Sequence, residues 1–122
     1  MANAITWVEI LVADFDRAKR FYDFVFHTDI EYVVGSEPRY GTFPYEMGAG
    51  GGCSIVEMKD HRPAREPHFI YLNGGDNLSE PLSRVEKAGG LVVVPKTANG
   101  NFGFVAQFLD TEGNCLLLHS WE

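Results

Sequence analysis

Apolar and polar residues alternate from Ile5 to Val12, so Val8, Ile10 and Val12 share one face with Thr6 while Trp7, Glu9 and Leu11 share the other. Such a strand is buried on its aliphatic side, and the chain supplies a cover at once. Ala18, Phe21, Tyr22 and Val25 recur at helical spacing, with Arg17, Lys19, Arg20 and Asp23 on the opposite side and Asp14 as N-cap. The pattern predicts a strand over Ile5–Val12 and an amphipathic helix ending near Phe26. Short strands follow at 30 to 34, Tyr40–Met47 and Cys53–Met58. The Gly48 to Gly52 run lacks the lysine and following helix of a phosphate-binding loop, and reads as a flexible hairpin turn.

The same order then repeats. Phe69–Leu72 reads as a strand and Gly74 to Asn77 as a polar turn; Leu78, Leu82 and Val85 form the buried stripe of a short helix capped by Asn77 or Ser79 and ended by Gly89. Strands are predicted at Leu91–Val94, stopped by Pro95, at Phe102–Leu109, and at Cys115–Ser120 after the turn Thr111-Glu112-Gly113-Asn114. Two copies of one unit indicate a duplication in which neither half buries enough surface alone. The expected organisation is a single α+β domain over 1–122, with module one at 1–60 and module two at 66–122, joined by a polar connector holding Pro63 and Pro67.

Seventeen acidic against ten basic side chains give a formal charge of −7, which repels phosphate backbones and argues against nucleic acid as a partner. No apolar run is long enough for a membrane span, and the first residues lack the pattern of a secretory signal, so no membrane partner and a cytoplasmic location are expected. Cys53 and Cys115 fall in apolar strand contexts at equivalent places in the two modules and read as buried structural thiols.

Val12-Ala13-Asp14-Phe15-Asp16-Arg17-Ala18 running into Phe21 to Phe26, together with Leu109-Asp110-Thr111-Glu112-Gly113-Asn114 near the end, resembles the vicinal oxygen chelate superfamily, which includes glyoxalase I, bleomycin- and fosfomycin-resistance proteins and extradiol dioxygenases. The likeness covers nearly the whole chain and is nearest to the small glyoxalase-like proteins. It implies two βαβββ modules forming a curved mixed sheet around a central cavity. It also implies that catalytic members hold a divalent metal there through His, Gln and Glu side chains, with two substrate oxygens completing the coordination.

On that resemblance, the first-strand ligand position falls on Trp7 and the closing-strand position on Leu117, neither able to coordinate an ion. The second-module position falls on Ile70 or His68, according to the turn length allowed. No cofactor is therefore expected; if a divalent metal binds, His68, Glu9 and Glu57 are its candidate ligands. Glu9 shares a face with Trp7, and a carboxylate there is solvated, paired with Arg39 or Lys96, or used as a catalytic base. The expected ligand-binding set is Trp7, Glu9, His68, Ile70, Phe102, Phe104 and Leu117, within a wider aromatic group including Phe43, Tyr45, Tyr71 and Trp121.

The favoured reading is a glyoxalase-like protein that binds a small organic molecule in an aromatic pocket without the usual metal, with catalysis left open. The runner-up is a metal-dependent lyase, isomerase or dioxygenase using His68 with Glu9 or Glu57. A third reading is a structural subunit whose pocket is plugged by its own side chains. A homodimer is expected, with the Phe102 to Phe108 and Phe43 strands meeting the partner.

Overall fold

Asp14 opens the first helix as its position predicts. Its backbone is extended and its carboxylate accepts a hydrogen bond from Arg17 N at 3.1 Å. A computed structural model describes residues 5–46, 51–62 and 70–122. The chain runs β1 (Trp7–Val12), α1 (Phe15–Phe26), β2 (Glu31–Tyr32), β3 (Tyr40–Thr42), β4 (Gly52–Glu57), β5 (Tyr71–Asn73), α2 (Ser79–Val85), β6 (Leu91–Ala98), a 3-10 turn (Gly100–Phe102), β7 (Phe104–Leu109) and β8 (Cys115–Ser120). These are two βαβββ modules, the expected α+β architecture. Each forms a four-stranded mixed sheet, ordered β1-β4-β3-β2 and β5-β8-β7-β6, and neither closes into a barrel.

In both sheets the strand before the helix pairs in parallel with the last strand of its module: Trp7 stands opposite Gly52 and Tyr71 opposite Leu117. This register puts Ile10, Val12 and Ile55 on the helix side of the first sheet, and Ala106, Phe108, Leu116 and Leu118 on that of the second. Together with Phe15, Phe21, Tyr22 and Val25 of α1 they form one core. Phe21 stacks on Phe108 with centroids 6.2 Å apart, joining the modules through their helix sides. Each such buried side chain contributes about 1.5–3 kcal/mol.

Several predicted boundaries move. The helix α2 starts after Leu78 rather than after a capping Asn77 or Ser79 side chain, and it ends at Val85, before Gly89. Pro95 does not stop β6, which continues to Ala98. The strand is at the sheet edge and its register shifts between Val94 and Thr97, so the missing N–H interrupts no regular ladder. Phe102 lies in the 3-10 turn and is exposed; β7 begins only at Phe104, after Gly103 with φ at 78°. Of the residues expected at a partner interface, Phe108 is fully buried and Phe43 and Phe104 pack against the core, while Phe102 is exposed.

Candidate functional site

The face of β1 turned away from the helices carries Trp7, Glu9 and Leu11, as the alternation predicts. Trp7 is 36% exposed. Its indole lies over Gly52, where a Cβ would collide with the ring, so the paired strand leaves this position without a side chain. The indole N–H donates to Ser54 Oγ at 3.1 Å, and Tyr45 meets the ring edge-on with centroids 4.9 Å apart. These contacts set one orientation of an aromatic ring at the surface.

Glu9 is exposed beside Trp7. The partners suggested for it are engaged elsewhere: Arg39 pairs with Asp16 at 3.0 Å, while Lys96 donates to Asn77 Oδ1 at 2.9 Å and lies over the Phe104 ring. Among the described residues no cation stands within ion-pair distance of Glu9. Glu57 projects to the opposite face, where its Oε2 accepts from Phe15 N at 2.9 Å and supports the start of α1. Glu9 and Glu57 therefore do not converge on one ion. His68 lies outside the described residues, and among those described no three His, Cys, Asp or Glu side chains come together as a metal-binding group.

The remaining expected residues are dispersed. Leu117 is buried on the helix-free face of the second sheet; Phe104 is half-buried on the helix side; Phe102 is exposed in its turn. Among the described residues of that set, Glu9 and Ile70 meet in one hollow, of about 320 Å³, together with Leu11, His61, Arg62 and Cys115.

His61 is the residue that sequence reasoning passed over. Asn114 Nδ2 donates to Leu11 O at 2.8 Å and to Asp110 Oδ2 at 3.1 Å, which turns Oδ1 toward His61 Nε2, 2.8 Å away. With that amide orientation Nε2 is the nitrogen that donates to Oδ1. His61 is thereby pinned to a turn 53 residues downstream. Asn114 was marked by the motif, but no local pattern marks His61.

The same turn forms the densest polar network in the described structure. Asp110 accepts from Tyr22 Oη at 2.7 Å, Glu112 N at 2.8 Å and Asn114 N at 2.9 Å. Burial raises its carboxyl above the ordinary value against the pull of these donors, and burial with the adjacent carboxylate pushes the Tyr22 phenol well above its own. Glu112 receives Arg17 Nε at 2.6 Å, Ala13 N at 3.0 Å and Asp14 N at 2.8 Å. Burial works to raise its carboxyl, but the Arg17 hydrogen bond and the backbone donors outweigh it and hold the group below 4.5.

A larger crevice of about 680 Å³ opens on the helix side, between the end of α1 and α2. Val8, Phe26, Phe43, Cys53, Ile70 and Leu72 form its apolar wall, and burial pushes the Cys53 thiol up to about 12, so that wall is uncharged.

No protein-family model matches the chain, and no curated protein matches it. Solved structures do. An antibiotic-binding protein, TnmS3, from Streptomyces sp. superposes with a TM-score of 0.70 at 24% identity, over 98% of each chain. The fosfomycin resistance protein FosX from Listeria monocytogenes gives 0.69 at 19%, over 98% of this chain and 94% of its own. A glyoxalase/bleomycin resistance protein from Albidiferax ferrireducens gives 0.71 at 15%, over 95% and 97%. With two βαβββ modules in the expected order and structural likeness over nearly its full length, the chain has the vicinal oxygen chelate fold of the glyoxalase/bleomycin resistance/dioxygenase proteins.

Proposed function

We propose that this protein binds a small organic molecule against the Trp7 face, that a second copy of the chain closes the pocket, and that no resident metal takes part. The observation that carries the reading is the seating of Trp7. An indole held over Gly52, tied to Ser54 and braced by Tyr45 occupies the first-strand position that the resemblance assigns to a metal ligand, and it presents an aromatic surface in place of a donor atom. Glu9 beside it, free of an ion pair among the described residues, is the group that would receive a hydrogen bond or a proton from the ligand. Leu117 is the second apolar replacement, and His68 remains part of the proposed ligand-binding set.

The antibiotic-binding and fosfomycin-resistance descriptions of two structural neighbours support a small-molecule role. Exposed Leu91, Val93 and Val94 on edge strand β6, with Leu11 and Tyr71, supply apolar surface for the second copy. Hollows of about 320 and 680 Å³ among the described residues, a size that takes ligands, support a ligand-binding reading over a plugged pocket.

The test is binding of a planar aromatic probe, 8-anilinonaphthalene-1-sulfonate, to chelator-treated protein and to Trp7→Ala. Binding without metal, weakened about tenfold or more by Trp7→Ala, is the expected result. A requirement for added nickel, manganese, zinc or iron(II) would favour the metal-dependent reading instead.

A further inference from the structure

The crevice on the helix side lies on the opposite face of the first sheet from Trp7. Its apolar wall would accept a ring or a branched alkyl group, and Phe26 and Phe43, edge to face at 6.3 Å, form the aromatic part of that wall. Its mouth is defined by α2, from which Glu80 and Arg84 both border the crevice.

These two residues are one helical turn apart, a spacing at which opposite charges ordinarily pair. Here they do not: among the described residues no ion pair joins them. Arg84 instead reaches across to the end of α1, where its Nε donates to Val25 O at 2.8 Å. That bond anchors the guanidinium, and among the described residues its terminal nitrogens have no hydrogen-bond partner and the Glu80 carboxylate accepts no hydrogen bond. A fixed positive group and a negative group thus stand about 5–6 Å apart at their Cβ atoms, at the mouth of an apolar crevice.

We infer that this crevice binds a free α-amino acid with a large apolar side chain: ammonium on Glu80, carboxylate on Arg84, side chain against Phe26, Phe43 and Leu72. A simple carboxylate would leave Glu80 facing its negative charge, and a simple amine would leave Arg84 facing its positive one. Only a zwitterion satisfies both groups at once. The inference goes beyond the Trp7-face reading and stands independently of it.

Isothermal titration with L-phenylalanine, 3-phenylpropanoate and 2-phenylethylamine tests it. L-Phenylalanine is expected to bind, and each analogue lacking one charge to bind at least about tenfold more weakly. Glu80→Gln and Arg84→Gln are each expected to weaken L-phenylalanine about tenfold, and Trp7→Ala to leave it unchanged. Bound L-phenylalanine is also expected to slow maleimide labelling of Cys53 in a Cys115→Ser background. Glu80 is exposed, so its variant decides the matter should Arg84→Gln fail to fold. Absence of binding, equal binding of the three compounds, insensitivity to Glu80→Gln, or loss on Trp7→Ala would each overturn the assignment. The last outcome would move the amino acid to the Trp7 face; a failure of the Trp7-face reading alone would show as unchanged dye binding in Trp7→Ala.

Discussion

The Asp110–Asn114 turn and the helix-free face of β1 both place carboxylates beside aromatic rings, and they treat them in opposite ways. At the turn every carboxylate is matched: Asp110, 4% exposed, accepts from Tyr22, Glu112 and Asn114, and Glu112 is held by Arg17 and two backbone N–H groups. On the face, Glu9 and the Trp7 ring meet solvent, and Glu9 has no counterion among the described residues. A fully satisfied buried network stabilises and rigidifies, whereas an unmatched charge beside an oriented ring is a place for something else to bind. The residues that carried the family resemblance near the C-terminus thus bolt module two to α1, and the residues that distinguish this chain lie on the open face.

The sharpest way to break the comparison is to remove one carboxylate from each region. Asp110→Ala strands the buried Tyr22 hydroxyl and two backbone donors and is expected to cost about 3 kcal/mol, read as a lower urea midpoint at unchanged m-value. Glu9→Ala is expected to change stability by less than about 0.5 kcal/mol. Equal losses would show that the two regions do not differ in role.

Next in size is the effect on binding. Trp7→Ala removes the ring that the ligand would cover and is expected to weaken the aromatic probe by tenfold or more, with only a small shift of the urea midpoint, since the indole is already partly exposed. A large stability loss with unchanged probe affinity would make Trp7 a packing residue.

The smallest effect is on acid stability, and its sign follows from the two carboxyls. Glu112 has a folded value below 4.5, so its contribution is complete above that pH and is lost as pH falls through the folded value. Asp110 has a folded value above 3.8, so protonating it favours the folded state as pH falls through that raised value toward 3.8. Glu112→Gln is therefore expected to flatten the acid limb of stability against pH, and Asp110→Asn to steepen it. Urea midpoints measured between neutral pH and the Glu112 transition check both signs, and a Glu112→Gln limb as steep as the wild type would refute the Arg17 pairing as its source.

Much of the fold was readable in the chain because its signals are local. The alternation from Ile5 to Val12 assigned Trp7 and Glu9 to the face opposite Ile10, and the Asp14 cap placed the helix start. Pro95 misled because a proline reads as a stop unless the strand is known to lie at an edge with a bulge, which only the pairing reveals. Which face Glu57 takes was not legible, because one position of register decides it. The site was legible only in part. Trp7 could be counted back from Asp14, but the His61–Asn114 contact spans 53 residues, and the crevice exists through the spacing of two helices that no local motif encodes.

The central claim, a metal-free aromatic pocket at Trp7, is tested most directly by indole fluorescence in a Trp121→Phe background, which leaves Trp7 as the sole remaining tryptophan of the two in the chain. Titrating chelator-treated protein with 8-anilinonaphthalene-1-sulfonate is expected to quench Trp7 emission saturably, with an affinity that added divalent metal leaves unchanged. Emission that ignores the bound probe, or quenching that begins only once metal is supplied, would contradict it.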